Sequence, residues 1–359
     1  MTILTLYASG NYDPADSYGL IACQLVRHLT ALGVHVNALG MGRTVMESQP
    51  CDVRAVTSRP IVPALGGLVM GYPTRYTAHG ALLYAGPRVA LAMFESSEMP
   101  QGWAEALNKM DAVIVPSWFC ADVFLAGGVT VPVHVVPLGV CDTYRYQKRT
   151  AGRPLTFLAF LDRGERKGGI VALQAFLRAF GEDTNYKLIL KGRTAKVGFE
   201  LSNCNIEVIL EDMTEAELYG LYCRCDVLIN PHKGEGFGLI PREFAASGGL
   251  AMTTAWSGTA DGIDQWGYGL PYALEPARWT GNKSLAGQEL GEWAVLQPDD
   301  VAVHLRRVAH DWGRYAMRLP ARAQAAHTLY SWRDFAANVL SIYQGVTSGN
   351  YATTATLAA

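Results

Sequence analysis

The sequence lacks a strong excess of either charge and lacks any long uninterrupted apolar run. Its 30 Lys and Arg residues nearly balance 32 Asp and Glu residues, and the formal net charge is −2. This balance excludes a strong overall field for recruiting nucleic acid or an anionic membrane. No stretch reaches the roughly 18 apolar residues of a membrane span, and the opening MTILTLY lacks the basic and apolar regions of a secretory signal. We therefore expect a soluble, cytoplasmic protein with no membrane span.

The cysteines do not fit a disulfide framework or a structural metal site. There are seven, an odd number, and they are scattered along the chain. The close pair Cys223 and Cys225 lacks the second pair that a structural zinc site needs. We expect reduced, packed thiols and no metal ligands.

What the chain does contain is enough apolar material for two cores. It has 359 residues, of which 50% are hydrophobic and 17% are charged, against an average of about 25% charged. This composition excludes a disordered chain. Since domains run to about 100 to 200 residues, the length predicts two.

Short apolar runs alternate with helical spacing along most of the chain, which predicts parallel sheets covered by helices. A polar, turn-rich stretch from Cys141 to Pro154 predicts a linker between two such regions. We therefore predict an α/β protein with two doubly wound, Rossmann-like domains, 1–150 and 151–330, facing a central cleft that holds the ligands. A C-terminal helix at about 331–346 is expected to pack back on the first domain, and 347–359 to form a flexible tail.

The segment Asn230 to Gly249 has the pattern of an anion site. A strand ends at Pro231, a glycine-rich loop follows, and a helix begins near Pro241. Glycines let backbone amides approach a ligand, and a helix start offers unpaired N–H groups and a positive dipole end. Glu235 and Glu243 add carboxylates that accept hydrogen bonds from sugar hydroxyls. The pattern favours a nucleotide-sugar over a simple capped turn.

The motif EGFGLIPRE, Glu235 to Glu243, resembles the paired-glutamate motif of the GT-B-fold retaining glycosyltransferases of family four, the glycogen-synthase-like group. Other segments resemble the same family in the same order: FESSEMPQGWAEALNKMDAVIVPSWFCADVF, VHVVPLGV, ERKGGIVALQAF and SWRDFAANVLSIY. The resemblance implies a GT-B fold and transfer of a sugar from a UDP- or GDP-linked donor to an acceptor hydroxyl, with retention of configuration, no cofactor and no essential metal.

The resemblance also implies roles for individual residues. Glu243 would hold the ribose diol of the nucleotide, and Glu235 would contact sugar hydroxyls as a catalytic residue. His232 would contact the donor sugar. The backbone amides expected to meet the sugar and the diphosphate are those of Gly236, Phe237, Gly238 and Leu239.

A basic loop follows the first strand of the second domain, where open sheets bind ligands. Its Arg163, Arg166 and Lys167 offer the cations that a departing diphosphate needs. Lys167 matches the diphosphate-binding lysine of the family. The family's partner arginine is missing from its usual place five or six positions earlier, so Arg163 is expected to take that role. A solvated basic loop is the alternative, mainly for Arg166.

The first domain is expected to supply the acceptor side. Gly19 ends the loop after the first strand and is predicted to approach the diphosphate through its backbone. Glu95 follows an apolar strand, where a carboxylate is a candidate for a catalytic contact with sugar hydroxyls. A helix N-cap cluster with Ser96 and Ser97 is the alternative.

The sequence does not decide whether the acceptor substrate is a glycan, a small molecule or a protein. DNA is the second hypothesis for the acceptor. Spacings of three or four residues predict a basic stripe on one helix face, formed by Arg307, His310, Arg314 and Arg318. This stripe keeps a hydroxymethylated pyrimidine in DNA as a second hypothesis. An epimerase, a phosphorylase and a non-catalytic nucleotide-sugar or glycan-binding protein are further hypotheses, and no oligomeric state is predicted.

Overall fold

The computed structural model describes residues 2–41, 47, 49–64, 66–76, 86–150, 153–161, 165–193, 203–280 and 284–349. The chain forms two compact units, each built from separate stretches. Unit 1 comprises Met1–Phe94, Glu98–Gly139 and Tyr330–Ala359, and unit 2 comprises Glu95–Ser97 and Val140–Leu329. The predicted boundary at residue 150 therefore differs from the observed one at Gly139. Residues after Gly139 join unit 2 because, for example, the Gln147 amide donates to the Ser247 carbonyl at 3.0 Å.

Unit 1 contains, within the described residues, a parallel sheet with the strand order β2-β1-β3-β4-β5-β6. Its strands are β1 (Ile3–Ala8), β2 (His35–Gly40), β3 (Gly67–Met70), β4 (Arg88–Leu91), β5 (Ala112–Val115) and β6 (Val133–Val135). The helices that the described part of this unit forms before residue 130 are α1 (Ser17–Ala31), α2 (Cys51–Thr57), α3 (Trp103–Leu107) and α4 (Trp118–Ala126). The strands β3 and β5 are buried along their whole length, as expected for a parallel sheet covered by helices.

The last helix among the described residues, Trp332–Ser348, packs against α1 in unit 1. Ser331 caps it by accepting a hydrogen bond from the Asp334 amide. Gly139 allows the close approach, since a Cβ atom there would lie 2.1 Å from the Trp332 nitrogen. The helix predicted at about 331–346 is therefore present in unit 1, and residues 350–359 of the predicted tail lie outside the described residues.

Unit 2 contains, in the described part of the chain, a second parallel sheet with the order β12-β11-β10-β7-β8-β9. Its strands are β7 (Leu155–Leu161), β8 (Tyr186–Gly192), β9 (Ile206–Ile209), β10 (Val227–Asn230), β11 (Leu250–Thr254) and β12 (Tyr268–Leu270). Its helices are α5 (Gly169–Phe180), α6 (Glu215–Arg224), α7 (Leu239–Ala246), α8 (Ile263–Trp266), α9 (Pro298–His310), α10 (Trp312–Ala316) and α11 (Leu319–Leu329). A separate antiparallel pair consists of β13 (Ala273–Pro276) and β14 (Glu292–Val295). The main apolar core of the unit includes buried residues of β7, β8, β10, α5 and α9.

The direction of strand succession in unit 2 reverses at β7. This strand pairs with β8 on one side and with β10 on the other, with Phe157 opposite Val227. The loops that follow β7 and β10 therefore leave the same edge of the sheet side by side. Open α/β sheets bind ligands at such a switch point, outside the carboxyl ends of the strands.

The basic stripe predicted on one helix face is wrong. The helix α9 ends at His310, and α10 begins at Trp312 after the capping residue Asp311. Arg307 therefore lies on α9 and Arg314 on α10, so no single helix face carries both. Among the described residues, no helix is both long and apolar enough to cross a bilayer.

Candidate functional site

An ion pair joins the two loops at the switch point of unit 2. Lys167, which ends a short 3-10 helix after β7, places its Nζ 2.5 Å from Oε1 of Glu235, in the loop after β10. Arg166 Nη1 lies 3.4 Å from Oε2 of the same carboxylate. Arg166 also donates to the Gly234 carbonyl at 2.6 Å. Three residues predicted to act together are thus assembled from distant parts of the chain.

The charge of Glu235 is set by these two cations. Burial alone would raise the pKa of its carboxyl, but the charges of Lys167 and Arg166 outweigh burial and lower the pKa to about 2. Glu235 is therefore ionised at neutral pH. Two cations face the Glu235 carboxylate here, and charge-assisted hydrogen bonds from Lys and Arg side chains also suit the oxygens of a bound anion.

Glu95 supplies a second carboxylate at the same place. Its Oε1 lies 3.7 Å from Arg166 Nη2. Burial raises the pKa of Glu95; the charge of Arg166 opposes this rise, and the neighbouring charge of Glu235 adds to it. Glu95 therefore binds a proton more readily than an exposed glutamate does.

The residues after Glu95 do not form the predicted helix cap. Ser96 Oγ accepts a hydrogen bond from Trp279 Nε1 at 3.2 Å, and Ser97 Oγ accepts one from the Glu292 amide at 2.7 Å. The segment is a bend, and α3 begins only at Trp103. The alternative of an N-cap cluster is therefore wrong, because the Ser96 hydroxyl is bonded to Trp279 and the Ser97 hydroxyl to Glu292, the first residue of β14, rather than to amides of a helix.

Two glycines let the loops approach closely. A Cβ atom on Gly234 would lie 1.8 Å from the Glu95 carbonyl oxygen. A Cβ atom on Gly168 would lie 2.1 Å from the Pro231 carbonyl oxygen, and Gly168 also has a φ of +71°. Such distances are available only to glycine. Side chains at these positions would separate Lys167 and Glu95 from the Glu235 loop.

The helix α7 begins at the end of the glycine-rich loop. Gly238, with a φ of +85°, precedes its first residue, Leu239, and Pro241 lies in its first turn as predicted. The first N–H groups of a helix have no partner within the helix and carry partial positive charge. The loop is packed tightly from the other side, since a Cβ atom on Gly258 would lie 2.3 Å from the Gly236 carbonyl oxygen. This backbone is therefore held in one conformation beside the ion pair.

Arg242 was not predicted from the sequence, although it lies inside the motif. It is fully buried and donates to the backbone oxygens of Phe237, Gly238 and Gly258. Its guanidinium also lies 4.0 Å from the ring centre of Phe237 and 4.6 Å from that of Trp266. Arg242 therefore fixes the glycine-rich loop from within. Its position next to Glu243 gives no signal of burial in the sequence.

Glu243 lies in a very different environment from Glu235. It is 3% exposed, and Tyr222 donates to its Oε2 at 3.5 Å. Burial raises the pKa of Glu243 to about 8, with Glu215 adding to the rise. Tyr144 packs against Tyr222, with ring centres 5.5 Å apart. The surroundings of the two glutamates of the motif thus shift their pKa values in opposite directions.

His232 supports the loop from a fully buried position. Its Nε2 lies 2.8 Å from Thr259 Oγ1, and that hydroxyl itself donates to the Thr254 carbonyl at 2.7 Å. The hydroxyl proton is already engaged, so we assign the ring proton to Nε2. Burial lowers the pKa of His232 to about 3, which keeps the ring neutral. The contact of His232 with a donor sugar stays a prediction.

Two predicted residues remain, Arg163 and Gly19. Arg163 lies outside the described residues. Gly19 lies in the first turn of α1 in unit 1, and its amide donates to Asp16 Oδ1 at 3.1 Å. Its backbone contact with a diphosphate stays a prediction. Among the described side chains, no group of three or more His, Cys, Asp and Glu residues could hold a metal ion.

Known proteins resemble the chain in structure rather than in sequence. No family model matches it, and no curated protein does either. A glycosyltransferase from Rickettsia africae ESF-5 has a TM-score of 0.72 at 13% identity, over 96% of this chain and 98% of its own. Sucrose-phosphate synthase from Thermosynechococcus elongatus has a TM-score of 0.68 at 14% identity, over 97% and 100%. An alpha,alpha-trehalose-phosphate synthase (UDP-forming) from Burkholderia xenovorans, in complex with glucose-6-phosphate, has a TM-score of 0.57 at 13% identity, over 79% and 74%.

These likenesses establish the fold. The chain has the two Rossmann-like α/β units of a GT-B protein, each with a parallel sheet, as expected from the sequence. The class of fold is thus the one used by these glycosyltransferases. At such low identity the likeness extends to the architecture and not to individual side chains.

Proposed function

We propose that the chain is a glycosyltransferase that takes its sugar from a nucleoside diphosphate sugar bound by unit 2. The observation that carries the proposal is the cluster of Lys167, Arg166 and Glu235 at the switch point of the sheet. The start of α7 lies at the end of the same loop. The fold supports the proposal, since a UDP-forming synthase and a sucrose-phosphate synthase share it.

Lys167 and Arg166 stabilise the negative charge that develops on the departing diphosphate. Both side chains are more than three-quarters buried, and charge-assisted hydrogen bonds gain strength in such sites. The N–H groups at the start of α7 add a positive dipole end. When the donor binds, its diphosphate takes over the cations, and Glu235 becomes free to accept a sugar hydroxyl.

The transfer itself needs no nucleophile from the protein. The bond between the anomeric carbon and the diphosphate oxygen breaks, and the acceptor oxygen forms its bond on the same face of the sugar. The proton of the acceptor hydroxyl passes to the departing phosphate oxygen. The products are a glycoside with retained configuration and a nucleoside diphosphate, and the two cations take the place of a metal ion.

Glu243 is the proposed partner of the ribose diol. Tyr222 holds its carboxyl at 3.5 Å, and Tyr222 is itself fully buried. Because burial raises the pKa of this carboxyl, its neutral form can accept from one ribose hydroxyl through the carbonyl oxygen and donate its own proton to the other. UDP and GDP share this ribose diol, so the proposed contact does not distinguish between the two nucleotides.

The acceptor hydroxyl belongs, in this proposal, to a glycan, a small molecule or a protein. The alternative of a modified base in DNA depended on a basic helix face that is divided between α9 and α10. Nothing else in the described residues favours nucleic acid. A non-catalytic binding protein is the remaining alternative, and turnover decides it.

The test is a panel of UDP- and GDP-sugars, with donor binding measured by calorimetry and nucleoside diphosphate release measured with candidate acceptors. Lys167→Ala is expected to lower turnover by about 10² to 10³. Lys187→Ala is the matched control, because Lys187 pairs with Glu207 on the surface of the same unit. Binding of no donor, or equal turnover in Lys167→Ala, contradicts the proposal. NMR of the product anomer tests retention, and activity in EDTA tests independence from metal.

A further inference from the structure

The strand pair β13 and β14 is bonded to the loop that carries Glu235 and, through that loop, to Arg166. The Ala294 amide of β14 donates to the Lys233 carbonyl at 2.8 Å, and the Lys233 amide donates to the Arg166 carbonyl at 2.7 Å. The Lys233 ammonium donates to Glu275 Oε1 of β13 at 2.7 Å. Backbone and side-chain bonds thus fix the strand pair beside the proposed diphosphate site.

The connection between these two strands carries Trp279, and the Arg166 guanidinium lies over its ring. The guanidinium carbon is 5.8 Å from the centre of the indole ring. The indole Nε1 donates to Ser96 Oγ at 3.2 Å, and Ser96 is fully buried. A cation within about 6 Å of an aromatic ring centre is attracted to the face of the ring. One side chain therefore contacts Arg166 and is bonded to the segment that contains Glu95.

Trp293 of β14 supports Trp279. Trp293 is 3% exposed, and its ring centre lies 6.0 Å from that of Trp279. Its Nε1 donates to Glu275 Oε1 at 3.1 Å, and Lys233 Nζ lies 4.9 Å from its ring centre. Trp279 itself is half-buried. Its position is therefore defined by a buried neighbour and by Ser96, while its own replacement removes little from the interior of the unit.

The contacts of Arg166 with acidic groups are longer than a normal hydrogen bond or at its limit. Nη1 lies 3.4 Å from Glu235 Oε2, and Nη2 lies 3.7 Å from Glu95 Oε1. Each of these carboxylates competes with a bound anion for the charge of Arg166. An aromatic ring differs from a carboxylate because it attracts a guanidinium without neutralising it and without using its in-plane N–H donors. Trp279 therefore restricts the orientation of Arg166 without adding a negative charge that would compete with a diphosphate.

We propose that Trp279 is a positioning residue for the diphosphate: its ring holds the Arg166 guanidinium in the orientation that contacts the phosphate oxygens, and Trp279 itself does not touch the nucleotide. This inference rests on the proposed function, in which Arg166 binds the diphosphate. It gives a role to the connection between β13 and β14, which lies outside the motif that carries Glu235 and Glu243.

The experiment compares the binding of a nucleotide with and without its phosphates. UDP is titrated by calorimetry and uridine by saturation-transfer NMR, or GDP and guanosine where the donor panel selects GDP. Trp279→Ala is expected to raise the Kd for UDP about fivefold, within the factors of about 2 to 30 that correspond to cation–π contacts. The Kd for uridine is expected to stay unchanged. A purely structural role of Trp279 would weaken the binding of both compounds.

A double-mutant cycle shows whether Trp279 acts through Arg166. Arg166→Ala is expected to raise the Kd for UDP by at least about tenfold, since a charge-assisted contact with the diphosphate is lost. Trp279→Ala in the Arg166→Ala background is expected to add less than about a factor of two. Independent contributions would instead multiply to about fiftyfold.

Conservative variants keep the test valid if Trp279→Ala does not fold. Trp279→Phe keeps an aromatic face and is expected to bind UDP within about a factor of two of the wild type. Trp279→Leu keeps apolar bulk without an aromatic ring and is expected to match Trp279→Ala. Trp312→Ala is the matched control, because Trp312 is also a half-buried tryptophan of unit 2, at the start of α10. This control is expected to leave the Kd for UDP unchanged.

The outcomes separate this inference from the proposed function. Failure of the wild-type protein to bind any nucleotide sugar or nucleoside diphosphate overturns the proposed function. Binding by the wild type with an unchanged Kd for UDP in Trp279→Ala and Trp279→Leu overturns only the role of Trp279. Equal weakening of UDP and uridine, or multiplicative effects in the cycle, also overturns that role, because Trp279 would then act by direct contact with the nucleoside or independently of Arg166.

Discussion

Lys167 Nζ lies 2.5 Å from Oε1 of Glu235, so a largely buried ion pair links the loops that follow β7 and β10. Arg166 approaches the other carboxylate oxygen at 3.4 Å. The same two cations are the proposed ligands of the donor diphosphate. Glu235 is therefore an internal competitor of the diphosphate for these cations as well as a proposed contact of the sugar.

This competition predicts that Glu235→Gln separates nucleotide binding from catalysis. Removing the carboxylate charge takes away the ionic partner that holds Lys167 at 2.5 Å and one of the two carboxylates near Arg166, so we expect the Kd for UDP to fall about tenfold, or about 1.4 kcal/mol. Turnover is expected to fall by at least about 10² because a contact to the reacting sugar is lost. Calorimetry and steady-state rates measure the two effects. Glu207→Gln, at a surface pair with Lys187, serves as control, and weaker UDP binding in Glu235→Gln contradicts the argument.

Glu243 predicts a pH dependence of stability. Burial raises its pKa from 4.5 to about 8, so the folded protein binds this proton more tightly than the unfolded chain does. The resulting stabilisation is complete below about pH 4.5 and is lost as the pH rises through about 8. Glu243→Gln stays neutral, and its Tm at pH 8.5 is expected to exceed that of the wild type by several degrees, at about 2–4 °C for each kcal/mol.

Thermal unfolding at several pH values checks this prediction. The two proteins are expected to converge near pH 5, where both side chains are uncharged in the folded state. The exposed Glu182→Gln variant is the control and is expected to follow the wild type at every pH. A constant difference in Tm across the range would show that the effect of Glu243 is not electrostatic.

Arg242 predicts a large structural effect at a position inside the motif. Arg242→Met leaves the carbonyls of Phe237, Gly238 and Gly258 without their donor, and unfolding free energy is expected to fall by at least about 3 kcal/mol. Urea unfolding measures the change. Arg224→Met, at a side chain 52% exposed, is expected to cost under about 0.5 kcal/mol. Equal stability of the two variants would contradict the role of Arg242.

Gly234 predicts that a single methyl group disrupts the site. In Gly234→Ala the new Cβ atom meets the Glu95 carbonyl, at 1.8 Å in the present geometry, so the loop must move. We expect turnover to fall by at least about 10², in line with the effect of a displacement of about 1 Å in an active site. Gly220→Ala is the control, because Gly220 lies in α6 with no atom near its Cβ position. Gly220→Ala is expected to raise the free energy of unfolding by about 0.5–1 kcal/mol. Full activity of Gly234→Ala would contradict the close contact between Gly234 and the Glu95 carbonyl.

Most of the fold was readable from the sequence because buried parallel strands are continuous apolar runs. The strand predicted to end at Pro231 is β10, Val227–Asn230, and the helix predicted near Pro241 is α7. The division at Gly139 was missed because a polar, turn-rich stretch resembles a linker even where its backbone is bonded to one unit. The break at Asp311 was missed because residues on both sides keep helical spacing.

The chemistry of the candidate site was less readable. The residues Lys167 and Glu235 are 68 positions apart, and only the strand order brings them together. The sequence marks two glutamates as a pair, yet their surroundings give them pKa shifts of opposite direction. Burial of a charged side chain such as Arg242 depends on packing partners that no local pattern reveals.

The segment Glu95–Ser97 bears on how the protein can be divided. It is encoded among residues of unit 1, but its bonds to Trp279 and Glu292 make it part of unit 2. A fragment from Val140 to Leu329 would keep Lys167, Glu235 and α7 but would omit Glu95. Unit 2 is therefore not formed by one contiguous stretch of the chain. A chimera that joins the first half of one such chain to the second half of another would therefore take its Glu95–Ser97 segment from the first parent and the rest of unit 2 from the second. Whether that chimera is active would depend on how well this segment fits the unit 2 of the other parent.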